Sequence, residues 1–149
     1  MNEKTVAILE KLIAVCKDGA EGFQIAANEV HSSALQSLFQ GYSLQRLRFS
    51  RELGTAESAL GKNVAAEAGS VGRTWMTAAD PATARDEQAV LAECERGEDA
   101  AVAAYATAAE EPELPPAVRA MIAAQAIEVK VAHTEIHGRR NRFAPAAQP

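Results

Sequence analysis

Apolar residues recur at alternating steps of three and four along almost the whole of the first thirty residues. Val6, Leu9, Ile13, Cys16, Ala20, Phe23, Ala27 and Val30 make one continuous stripe. Steps of that size keep side chains on one face of an α-helix and on no face of a strand. A helix of about 28 residues is about 42 Å long, and it needs partners of similar length to cover its stripe. The same pattern returns three times. Leu35, Leu38, Tyr42, Phe49, Leu53, Ala56 and Leu60 mark a second helix. Leu91, Cys94, Ala101, Tyr105 and Ala108 mark a third, and Val118, Ile122, Val129, Ala132 and Ile136 a fourth. The expected helices cover residues 3–31, 33–61, 86–110 and 115–138. Serine at 32 or 33 can cap the second helix, Gly61 can end it, and Pro115 and Pro116 suit the start of the fourth. The fold class is therefore all-α, a four-helix bundle forming one domain over residues 1–143, with a disordered tail at 144–149.

Connection lengths set the expected topology. Helices one and two share a very short turn, as do three and four, so each pair is antiparallel. Residues 62–85 make a long connection punctuated by Gly69, Gly72 and Pro81. It is long enough to travel the bundle, so helices two and three are expected to be parallel. Two hairpins joined by one crossover is the ferritin-like arrangement. Within the crossover, SVGRTWM is expected to form a short helix that lays Trp75 over the core.

Aromatics are only 5% of the chain against 48% hydrophobic residues, so the helices must pack closely on small side chains. A net charge of −5 argues against a nucleic-acid binder, which needs a clustered basic face. No run approaches the roughly 20 apolar residues of a membrane span, and Glu3, Lys4, Glu10 and Lys11 interrupt the first stripe as no signal peptide would allow. Cys16 and Cys94 form no CxxC pair. The expected compartment is the cytoplasm, with both thiols reduced.

Polar residues gather at one level. Asp18, Glu21, Gln45, Arg46, Arg48, Glu98, Asp99, Gln125 and Glu128 all lie near the middle of their helices. Gln45, Glu98 and Gln125 fall within apolar stripes. Glu21, Gln45, Arg46, Arg48, Glu98 and Gln125 are the expected mid-bundle polar layer. Gly19 and Gly22 weaken the first helix by about 1 kcal/mol each; their presence points to a close approach by an arginine or another helix. A bundle di-iron site needs Glu-x-x-His on two helices, and no glutamate here has histidine three residues later. The layer is therefore expected to be a buried ion pair of Glu98 with Arg46 or Arg48, holding no cofactor. The alternative is a metal bound by Glu21, Glu98 and His133, with iron, manganese or zinc as the ion. His133 and His137 share a helix face, and His31 is expected at the same end of the bundle. Three imidazoles there could hold zinc with Glu135 or Glu29; dipole-favouring histidines at a helix end are the simpler account.

The blocks KDGAEGF, LAECERGEDAAVAAY and VAHTEIH resemble a family of uncharacterised bacterial ferritin-like four-helix-bundle proteins, a domain of unknown function with loosely stress-associated relatives. The likeness runs over residues 3–138, and Glu95–Asp99 is its most specific block. It implies the fold and supplies no activity. With no catalytic motif in the chain, the expected function is a non-enzymatic module that self-associates, as a homodimer, or binds a helical protein partner. A degenerate ferritin-like metal or redox protein is the alternative.

Overall fold

The computed structural model describes residues 2–61 and 86–143, and these form four helices: α1 (Asn2–Glu29), α2 (Ser33–Ala59), α3 (Glu87–Ala109) and α4 (Pro116–Phe143). The expected Trp75 helix and the 144–149 tail lie outside the described residues. No described helix is long and apolar enough to cross a membrane.

Local chemistry sets the helix ends. Ser32 caps α2 by accepting a hydrogen bond from the Leu35 amide, and Asp86 caps α3 through Ala89. α2 closes on Leu60, and Gly61 follows with φ +88°, a left-handed conformation that glycine adopts without a Cβ clash. Pro116 is the first residue of α4, where its missing N–H leaves no gap. α4 does not stop at Gly138. It continues to Phe143, five residues beyond the expected end, so Arg139, Arg140 and Arg142 lie within it. Side-chain ties outweigh the glycine: Arg139 bonds Glu135, and Arg140 reaches across to Glu95.

α1 packs on α2, α3 packs on α4, and α1 also packs on α3. One Glu87 oxygen accepts the amides of both His31 and Ser32 at 2.8 Å. That carboxylate pins the α1–α2 turn to the start of α3. α2 and α3 are joined again halfway along, by Arg46 and Glu98, so the two run the same way. Pairs such as Glu95 with His137 and Tyr105 with Gln125 make α4 antiparallel to α3.

The core has two apolar halves. One centres on Leu9, Leu12, Phe49, Leu53, Tyr105 and Ile122. The other centres on Phe23, Phe39, Leu91, Cys94 and Ile136. On α2 the buried face between Phe39 and Phe49 carries Ser43 and Arg46; on α3 the buried residues between Cys94 and Ala101 are Glu95, Gly97 and Glu98.

Candidate functional site: a charged layer across the bundle

Arg46 is 1% exposed and Glu98 is 0% exposed. Arg46 donates from both terminal nitrogens to the two Glu98 oxygens, each at 2.6 Å. Its Nε donates to Gln45 Oε1 at 3.0 Å. The guanidinium also lies 5.3 Å from the Phe23 ring centre, where a desolvated cation is attracted to the π face. A planar fork on a carboxylate is the strongest geometry available to such a pair. Burial favours the neutral form of Arg46, but the carboxylate bonds outweigh it and push the guanidinium's pKa above its ordinary value.

The inward residue of α2 is Arg46 and not Gln45. The buried face runs through Leu35, Phe39, Ser43, Arg46, Phe49, Leu53 and Glu57. Gln45 is half-buried on its edge, Leu38 and Tyr42 only partly covered. The stripe passes through a serine, an arginine and a glutamate, so apolar spacing alone drifts off it. Arg48 is exposed and pairs with Glu52 and Glu128. Glu21 is exposed on α1. Gln125 is buried, but it serves a different group.

That group is Tyr105. Its hydroxyl donates to Gln125 Oε1 at 2.6 Å and lies 3.2 Å from Cys16 Sγ. Gln125 in turn donates to Glu52 Oε1 at 2.9 Å. One polar chain thus joins a residue from each of the four helices. Burial pushes the Cys16 thiol up to about 11, so at neutral pH it is an un-ionised, poorly nucleophilic group. Burial raises Tyr105 as well. Tyr105 has the spacing of a core residue, and nothing in the pattern separates its hydroxyl's role from its ring's. Ser43 is a further buried polar group outside the sequence reading; it donates to the Ala20 carbonyl of α1 at 2.8 Å.

Arg46 lies against Gly19. A Cβ there would meet the Arg46 terminal nitrogen at 3.5 Å, an ordinary contact. The close approach is real but does not require glycine. A cleft of about 180 Å³ between α1 and α3, lined by Asp18, Gly19, Gly97 and Ala100 among others, ends on the Arg46–Glu98 pair.

Glu21, Glu98 and His133 are not brought together. Glu98 faces Arg46, Glu21 is on the α1 surface, and His133 pairs with Asp99. His133 and His137 do share a face of α4, opposite Asp99 and Glu95. Among the described residues, no three histidine, cysteine, aspartate or glutamate side chains converge as a bound metal requires. Burial would raise the Glu95 carboxyl, but hydrogen bonds from Arg140 and His137 outweigh it and hold the group below its usual range.

A bundle whose described residues form four helices, with an arginine–carboxylate layer across its core, is the class that this geometry defines. The family model described as "Domain of unknown function (DUF2383)" matches residues 4–111, and the chain belongs to that family. The match takes in α1, α2 and α3 and stops before α4 begins. No curated protein matches the chain.

Proposed function

We propose that this chain is a ferritin-like bundle, with residues 62–85 as its crossover, that works as a non-enzymatic cytoplasmic module. It self-associates as a homodimer or docks a helical partner, and the resemblance of its ERGED block to loosely stress-associated proteins suggests service under stress. One observation carries the reading: the centre of the bundle, where this architecture would hold metal, contains a cation of the protein's own. Arg46 occupies both Glu98 oxygens, and a fixed guanidinium beside a carboxylate repels a second cation. Leu44, Ile127 and Val131, each more than 60% exposed, are apolar contact surface for association. The degenerate metal-protein alternative would have to take Glu98 from Arg46.

Light scattering on untagged full-length protein tests the association, with a mass of twice 15.8 kDa expected. A strict monomer at high concentration that also captures no helical partner overturns the reading. So does stoichiometric iron or manganese that is lost on Glu98→Gln.

A further inference from the structure

Along the first half of α3 and the second half of α4, two histidines face two acids. His133 and His137 are one turn apart on α4, their rings parallel to within 3° and their centres 6.4 Å apart. His133 Nε2 is 2.6 Å from Asp99 Oδ1, and His137 Nδ1 is 2.6 Å from Glu95 Oε2. Asp99 and Glu95 are likewise one turn apart, on α3. The result is a two-rung ladder of imidazole and carboxylate between antiparallel helices.

The rungs differ in freedom. The Asp99 side chain is 64% exposed. The Glu95 side chain is 12% exposed, and its other oxygen is held by Arg140 at 2.8 Å. Asn141 Nδ2 lies 3.2 Å from His137 Nε2. With that amide as donor, Nε2 carries the lone pair and Nδ1–H points to Glu95. A histidine whose ring hydrogen is held by a carboxylate has its other nitrogen oriented and made more basic for a metal.

We infer that this ladder is a binding site for one divalent transition cation of the zinc class, with His133 and His137 as nitrogen ligands, Asp99 as the carboxylate ligand, and Glu95 as the residue that positions His137. In the conformation described, the donors form two separate pairs. Side-chain rotation is the movement this site calls for: residues four apart on a helix have Cβ atoms about 5–6 Å apart, so His133 and His137 can share one ion, and Asp99 already reaches His133. A tetrahedral ion with bonds of about 2.0–2.2 Å bridges that spacing, and water completes its shell. Two imidazoles with a carboxylate suit a borderline ion such as zinc better than calcium or magnesium. The site uses neither member of the Arg46–Glu98 pair.

Calorimetric titration of untagged, chelator-treated full-length protein with zinc chloride tests it. One saturable equivalent is expected, with a rise in melting temperature through mass action. His133→Ala or His137→Ala should each weaken binding about tenfold or more, and Glu95→Gln about tenfold. Asp99→Asn should weaken it without changing the helical circular dichroism of the free protein. His133→Gln and His137→Gln serve as ligand-removing variants if the alanine forms fold poorly. No saturable binding, or binding that survives removal of both imidazoles, overturns the inference.

Discussion

Replacing Arg46 by methionine isolates the charged layer, because methionine keeps an aliphatic stem against Gly19 and removes the guanidinium. Among the described residues Glu98 then has no hydrogen-bond donor for the two oxygens that Arg46 bonds at 2.6 Å, at a position with 0% exposure. Removing one member of a fully buried pair costs about 3–5 kcal/mol. Loss of the attraction to the Phe23 face adds up to about 2 kcal/mol. Against the roughly 5–15 kcal/mol that holds a domain together, the variant should be barely folded at 25 °C. Arg46→Met with Glu98→Leu removes both charges and leaves nothing ionic to strand, so it should cost no more than about 1–2 kcal/mol. Urea unfolding at neutral pH, followed by circular dichroism, measures wild type, both single variants and the double. The expected coupling between the two sites is at least about 2 kcal/mol. A single Arg46→Met loss below about 1 kcal/mol, or a double variant as unstable as the single, would refute the reasoning.

Tyr105→Phe should cost about 1–2 kcal/mol in the same assay, since it leaves Gln125 Oε1 short of its donor while keeping the ring; a neutral result would mean that water replaces the hydroxyl. Glu95→Gln should destabilise by about 1 kcal/mol at pH 7. Because the folded Glu95 carboxyl lies below its ordinary value, its contribution is present above the unfolded carboxylate range and is lost as pH falls through the lower folded value. The wild type and variant urea midpoints should therefore converge in acid, and a constant difference down to acid pH counts against the Arg140–Glu95–His137 contact. Gly19→Ala should be neutral to stabilising by up to about 1 kcal/mol, because helix propensity improves and the new Cβ meets Arg46 only at 3.5 Å. A loss above 1 kcal/mol on thermal unfolding would show that the glycine is sterically required.

Legibility in the sequence followed how many residues a signal was summed over. The α1, α3 and α4 stripes are long and almost purely apolar, and their residues are buried nearly throughout, Gln125 and Glu98 included. The α2 start was readable because capping is a contact between residues a few positions apart, Ser32 with Leu35; Asp86 caps α3 in the same local way, through Ala89. The α4 end was not, because Gly138 is a local signal for stopping, while the ties of Arg139 and Arg140 that sustain the helix include one to another helix.

What the chain determines by itself is the set of helices, their amphipathic faces and a polar level near their middles, all of which are periodic or local properties. Partner choice belonged to the tertiary structure. Arg46 and Arg48 are two positions apart, so they point to different sides of one helix, and only the packing of α2 on α1, and of α1 on α3, decides which meets Glu98. The same packing turned Gln45 to the edge, gave Gln125 to Tyr105, and set His133 and His137 opposite Asp99 and Glu95. A one-residue error in reading a helix rotates a side chain by about 100°. That is enough to exchange a buried ion pair for a surface one.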